Sequence, residues 1–325
     1  MSLGPSLVSP PAQSSASDGS GAVVTLPGRR FRPARLLSPL LFVGPALLLI
    51  GVFVIYPSVK TIYYSFYTQS NAIGYNLPLV FTGFDNFANM WNDSAVRTAV
   101  INNLLWLIIL TPLTVVLGVL LAVLFDRVRY EAVAKSIVFI PMAISATATG
   151  VIWRLMYADD PHVGTINAIL GQFIPNFQSI SWLGNTNLVN FALMGAQLWA
   201  SLGFAVIVLS AALKAIPGDL LEAARIDGAT ELQAFRHVTI PLMWPTITVI
   251  ITLTMIGLLK IFDIVWTMTS GGPAGASEVI GTRMYTEAFK NGNTGYGSAI
   301  AVVLLIAVIP IMAINIRRFS SEGQR

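Results

Sequence analysis

Side chains able to do acid–base, nucleophilic or metal chemistry are few in this chain and poorly spaced for it. Its 325 residues include no cysteine and only two histidines, His162 and His237. Thiolate catalysis, disulfides and cysteine metal sites are therefore excluded. The histidines are far apart, so a His-Glu-x-x-His zinc pattern is missing; both read as ordinary solvated side chains. The lysines follow Val59, Ala134, Leu213, Leu259 and Phe289, so no Gly-Lys pair can complete a phosphate-cradling loop. A Gly-x-Ser-x-Gly elbow is absent too. Asp159-Asp160 is the one adjacent acidic pair and reads as a solvated loop. The sequence offers no catalytic residue and no metal site, and it predicts no cofactor bound by this chain.

The elements that carry these residues follow from composition. Charged residues make up 10% and apolar ones 55%, with a mean hydropathy of +0.72; a soluble domain carries about 25% charged residues. The chain reads as all-α, a polytopic membrane bundle. The net charge of +4 is explained by cytoplasmic Lys and Arg without invoking nucleic acid. Six apolar runs are long enough to cross a bilayer, at 36–59, 104–125, 136–153, 188–213, 244–266 and 298–316. None alternates as a barrel strand would. Residues 1–35 read as a disordered tail, rich in Ser, Pro and Gly and ending in a basic cluster, and 320–325 as a short C-terminal tail, around a six-span domain at 36–319. The first apolar run is longer than a signal-peptide core and lacks a small-residue cleavage site, so it reads as an uncleaved span. With the N-terminus inside, 13 Lys and Arg fall in inner segments and 4 in outer loops, which predicts that both termini are cytoplasmic.

The inner loop at 213–243 is unusually structured for a connector. Pro217-Gly218 should break the preceding helix, with Asp219 capping a new one and Glu222 completing a capping box. Gly228 should end that helix in a left-handed conformation. Thr230 and Gln233 form a second box, and Pro241 should end the second short helix. Leu220, Leu221, Ala224, Phe235 and Val238 are apolar residues on this loop, which suits a hairpin packed on its own membrane domain or, on the reading favoured here, a protein partner.

Glu222-Ala223-Ala224, then Asp227-Gly228-Ala229, then Val238-x-Ile240-Pro241 resembles the "EAA" loop of permease subunits of bacterial ATP-binding-cassette importers. The usual ending of that loop is Ile-x-Leu-Pro, from which Val238 and Ile240 depart conservatively. The form of the motif is similar to that of the carbohydrate, maltose-type branch. So are Tyr56-Pro57-Ser58, Gly83-Phe84-Asp85-Asn86-Phe87, Asn167-Ala168-Ile169-Leu170 and Thr269-Ser270-Gly271-Gly272-Pro273, which occur in order. The chain lacks the long outer insertion and the extra spans of the larger maltose permease.

The resemblance implies a division of labour. A second permease subunit, a different chain in a heterodimer, would complete the pathway. Two cytoplasmic ATPase subunits, carrying ATP and magnesium, would dock on the EAA loops. An extracytoplasmic solute-binding protein would deliver a sugar. In this chain the coupling residues implied are Glu222, Ala223, Ala224, Asp227, Gly228, Ala229, Phe235, Ile240 and Pro241.

A sugar passage needs aromatic faces and a few convergent polar groups. Asn103, Gln197, Trp199, Lys260 and Asp263, polar or aromatic residues within spans, are the candidates. Lys260 and Asp263, at i and i+3, should share a helix face and pair, either neutralising each other in the bundle interior or lining the pathway. Two other classes stay open at this point. A membrane enzyme on a lipid-linked substrate would need clustered acids, and an ATP-independent carrier would not need the inner helix pair.

Overall fold

The computed structural model describes residues 34–68 and 79–322, with side chains at 41–68 and 79–313. Most of the expected N-terminal tail and the last three residues lie outside these. Long apolar helices dominate. The chain runs through α1 (Ala34–Ile50), α2 (Tyr56–Tyr64), a two-residue hairpin β1 (Tyr67–Thr68) and β2 (Val80–Phe81), α3 (Asp85–Asn92), α4 (Ser94–Asp126) and α5 (Glu131–Phe139). It continues through α6 (Ala146–Met156), α7 (Thr165–Phe173), α8 (Val189–Lys214), α9 (Gly218–Ile226), α10 (Glu231–Ala234), α11 (Ile240–Leu259), α12 (Asp263–Thr269), α13 (Ile280–Tyr285) and α14 (Thr294–Glu322). The last helix extends into what the sequence reads as a tail.

Among the described residues, five helices are long and apolar enough to span a bilayer: Leu41–Tyr64, Ser94–Asp126, Val189–Lys214, Glu231–Leu259 and Thr294–Ala313. The sixth candidate is a bent pair of helices rather than one long helix. Glu131–Ala143 and Ala146–Met156 meet at 102°, which corrects the expectation of one straight helix over 136–153. Pro141 removes a backbone donor, and the last turn tightens into a 3-10 turn. Ser145 then turns extended, and its hydroxyl accepts from the Ala148 N–H to cap α6. Gly203 of α8 lets the end of α5 come this close: a Cβ there would lie 2.3 Å from the Val138 carbonyl oxygen.

Residues 55–325 form one compact unit and residues up to 54 another. Within the larger unit, α4 and α8 pack along their length. Trp106, Leu193, Ile264 and Val265 fill one end, while Val119, Ala205, Leu209, Met243 and Ile250 fill the other. A third cluster joins Met90, Val96, Ala99, Ile280 and Ile300.

Polar groups tie this bundle together. The Asn103 amide donates to Leu258 O (3.0 Å) and Leu259 O (3.3 Å), and its Oδ1 accepts from Ile280 N–H (2.8 Å). Asn102 donates to Ala276 O and Glu278 O, and Asn190 donates to Asn102 Oδ1 and Ala276 O. Side-chain amides from α4 and α8 thus hold the irregular main chain that follows α11, where helical hydrogen bonding is interrupted.

Arg283 clasps the segments flanking the spans. It reaches Asp93 at 3.0 Å, Glu287 at 2.7 Å and Glu278 at 3.7 Å, and Tyr296 Oη–H donates to Asp93. Burial pushes the Asp93 carboxyl up, but hydrogen bonds from Tyr296 and the Ala95 N–H, with the Arg283 charge, outweigh it and hold the group below its ordinary value. Glu278 is raised by burial, which the Arg283 charge only partly offsets and the neighbouring carboxylates reinforce.

Candidate functional site

Two regions of the larger unit bear on function. The first is the loop between α8 and α11. Helix α9 begins at Gly218 after an extended Pro217, with no side chain capping it. The predicted Asp219–Glu222 box is therefore not formed: Pro217-Gly218 starts the helix one residue early and puts Asp219 in its first turn. The exit is as expected. Gly228 has φ +83°, the Ala229 N–H donates to Ala224 O, and the Gly228 N–H donates to Arg225 O. This pair of bonds is the Schellman arrangement. The Thr230–Gln233 capping box is present as well.

Pro241 does not end the segment. It lies just after a π turn over Phe235–Thr239 through which α10 runs on into α11, so that one helix extends from Glu231 to Leu259 with Pro241 inside it.

Helix α9 has two faces. Leu221 and Arg225 turn inward, lining with Val123, Leu213, Glu231 and Phe235 a cavity of about 380 Å³ beneath the loop. Arg225 Nε donates to Glu231 at 2.9 Å, and Arg127 at the end of α4 approaches the same carboxylate at 3.7 Å. Asp219, Glu222, Ala223 and Ile226 form the exposed outer face, and Ile226 is 86% exposed. Among the described residues, Glu222 has no hydrogen bond or ion pair. The arrangement is a rigidly terminated helix, tied at its back to two spans and offering an acidic and apolar front.

A Cβ at Gly228 would meet nothing within 4 Å, so backbone conformation alone demands glycine there. Gly228→Val is expected to cost about 1–2 kcal/mol locally and to weaken binding of a partner to α9. Hydrogen exchange of the 223–229 amides would report it; unchanged protection would mean that the turn tolerates a side chain.

The second region is a cavity of about 350 Å³ bounded by the middle of α4, the α5–α6 break, α8, the end of α11 and the start of α12. Its walls are mostly apolar, among them Ile144, Phe204, Leu253 and Leu258, with Thr114, Thr149, Gln197, Ser201 and Thr254 supplying polar atoms. The buried hydroxyls of Thr114 and Thr149 lack a hydrogen-bond partner among the described residues. An apolar chamber with a few unspent polar groups suits a neutral hydroxylated ligand.

Of the five pathway candidates, the structure brings only Gln197 to this cavity. Asn103 is 1% exposed, with its amide spent on main chain. Trp199 is half-buried, edge-on to Trp153 at 5.8 Å. Lys260 and Asp263 make no pair, which corrects the i, i+3 argument. The fifth span ends at Leu259, and Lys260 is its C-cap. Asp263 opens α12 after a break at 260–262, so the two do not share a helix, and both are exposed. Thr114, Thr149, Ser201 and Thr254 escaped the sequence reading, because hydroxyls in membrane helices usually bond their own turn and carry no distinguishing pattern.

The comparisons agree with this architecture. The chain is 42% identical to the osmoprotective compounds uptake permease protein GgtC of Synechocystis sp., over 87% of this chain and 99% of the relative. It is 38% identical to the alpha-glucoside transport system permease protein AglF of Rhizobium meliloti, over 93% of this chain and 88% of the relative. Its fold matches a subunit of a bacterial alginate ABC transporter solved in complex with an alginate pentasaccharide-bound periplasmic protein. The TM-score is 0.72 at 21% identity, covering 87% of this chain and 93% of that one. The family model for the binding-protein-dependent transport system inner membrane component matches residues 114–320, which include the α9 loop and the cavity-lining parts of α8 and α11, and the chain belongs to that family.

Proposed function

We propose that this chain is the permease subunit of an ATP-driven importer that carries a sugar or sugar derivative into the cytoplasm. The observation that carries the substrate class is the 38% identity to an alpha-glucoside permease along 93% of this chain. The mostly apolar cavity with scattered hydroxyls and Gln197 supports it, since sugars present both C–H faces and hydroxyls.

In this reading a second permease, as a heterodimer partner, completes the pathway. A solute-binding protein delivers the sugar from outside, and two separate cytoplasmic ATPases bind ATP and magnesium. One ATPase seats against Asp219, Glu222, Ala223 and Ile226. The Ala224–Ala229 turn fixes the angle of that face, and Phe235, Ile240 and Pro241 belong to the helix behind it. Displacement of α9 passes through Arg225 to Glu231, the first residue of the helix that ends at the cavity. That helix lines the cavity at Leu253, Thr254 and Gly257, about 33–39 Å along its axis from Glu231 at 1.5 Å per residue. A rigid rod of this length turns a tilt at the inner surface into a change of cavity shape. Lys260, the cap of this rod, and Asp263, beyond the break that follows it, remain in the proposed pathway as exposed charges.

Gln197→Leu tests the cavity. It roughly keeps side-chain volume and removes hydrogen bonding, so sugar uptake should fall about two- to ten-fold at the ~0.5–1.5 kcal/mol of a lost neutral hydrogen bond. ATPase assembly should be unchanged. Uptake equal to the parent would remove Gln197 from the pathway.

The charge split between loops supports cytoplasmic termini. A tag after Arg325 should be protected from protease in right-side-out vesicles; digestion there would overturn the orientation.

A further inference from the structure

We infer that α3 and the adjoining hairpin form a membrane-interface anchor, with Phe81, Phe84 and Trp91 inserted among lipid headgroups. Its described parts, 65–68 and 79–93, adjoin helices: Ser65 follows α2 directly, and Asp93 caps α4. The helix Leu41–Tyr64 has 24 residues, about 36 Å at 1.5 Å per residue, so the chain just after Tyr64 starts near the bilayer boundary, and Phe66 there holds Phe84 and Phe87 beside it.

Helix α3 has three sides. Asn86, Phe87 and Met90 face the protein. Asn86 donates to Ser65 O and Tyr67 O, and Met90 packs with Val96, Ile280 and Ile300. Asp85, Asn89 and Asn92 form an exposed polar side. Phe84, Ala88 and Trp91, at i, i+4 and i+7, form an exposed apolar stripe, with Phe84 73% and Trp91 84% exposed. A helix lying flat at a membrane boundary beside a bundle needs these three environments, one for protein, one for lipid and one for water.

Two observations choose lipid as the occupant. The stripe is continuous with the exposed apolar surface of the long helices. Tyr63 of α2 touches Tyr67, whose ring meets Phe81, and Phe66 meets Phe84 edge-on. On the neighbouring span, Ile101 and Ile108 are 64% and 71% exposed. Trp91 is of the type enriched at the headgroup level, and Phe81 and Phe84 are of a type that fills the apolar face of interfacial helices. Through Asp93, which bonds Arg283 and Tyr296, the anchor also fixes the height of the clasp over α13 and α14.

The chain has no cysteine, so a single introduced cysteine, labelled before the other subunits are added, gives one spin label per chain. The assembled transporter in lipid nanodiscs would carry labels at Phe84→Cys, Ala88→Cys and Trp91→Cys, and at Asp85→Cys and Asn89→Cys on the polar side. Ile108→Cys serves as the lipid reference and Thr186→Cys as the water reference. The readout is the ratio of collision with oxygen to collision with a water-soluble nickel chelate. At 84, 88 and 91 the ratio should rise toward that of 108, and at 85 and 89 it should fall toward that of 186. Equal water access around the whole helix would overturn the proposal. So would labels at 84, 88 and 91 shielded from both reagents, because a protein, the solute-binding protein or the second permease, would then cover the stripe. All these positions are exposed, so labelling leaves the fold intact.

Discussion

Ile226→Asp is expected to abolish ATP-driven uptake while the chain still reaches the membrane. Ile226 is 86% exposed at the end of α9, so its own fold loses almost nothing. Covered by an ATPase, an isoleucine side chain contributes about 1.5–3 kcal/mol. An unpaired carboxylate in its place adds a further desolvation cost of several kcal/mol. Together these weaken ATPase association by at least about a hundred-fold, at 1.4 kcal/mol per factor of ten. Co-purification of the ATPase with the mutant permease measures this directly. Retention of the ATPase at parental stoichiometry would mean that the outer face of α9 is not its seat. Comparison with Gly228→Val then separates the two contributions, one acting through contact and the other through the angle of the helix.

Asn103→Leu is expected to have the second large effect, and on stability. The substitution leaves the Ile280 N–H and the Leu259 carbonyl without their partner in a buried setting, while Leu258 O keeps the Ile261 N–H. Each of these two orphaned groups costs about 1–3 kcal/mol, so the total is on the order of 2 kcal/mol or more. The midpoint of heat-induced loss of monodispersity in detergent should fall by several degrees. Loss of uptake with an unchanged midpoint would instead return Asn103 to the sugar pathway. The distinction matters because the same residue reads from sequence as a polar group inside a span, with nothing to say what it faces.

What could be read without coordinates depended on how local the physics was. The apolar runs at 104–125 and 188–213 translate directly into α4 and α8, because a bilayer requires only length and composition. Gly228 and the Thr230–Gln233 box are likewise decided within a few residues, and both are formed. The bend at 144–145 was hidden because Pro141 and Ser145 lie inside an apolar stretch whose average hydropathy passes for one span. Asp219 was assigned a cap that Pro217-Gly218 had already made unnecessary. The Lys260–Asp263 pair presupposed an unbroken helix, and the break at 260–262 carries no proline or glycine to announce it. The Asn102, Asn103 and Asn190 network was illegible for a different reason: most of its partners are main-chain groups on distant segments, which no side-chain pattern encodes.

The cavity follows from those hidden features. It exists because α5 bends away from α6 beside α8, and because α11 stops short of α12. Glycine at 203 permits the first approach, and amide bonds to Leu258 and Leu259 hold the second in place. Its polar lining is made of threonine, serine and glutamine, residues that the apolar background hides rather than highlights.

The central claim is that this chain passes a sugar only when a separate ATPase works on α9. Its most direct test is uptake of a panel of labelled mono- and disaccharides into proteoliposomes. These would hold this chain, its partner permease and the ATPases, with the solute-binding protein and ATP on their respective sides. The account predicts saturable accumulation of at least one sugar. Accumulation should stop when the ATPase is omitted, or when Ile226→Asp replaces the parent chain. Undiminished accumulation without the ATPase, or with Ile226→Asp in place, would contradict it.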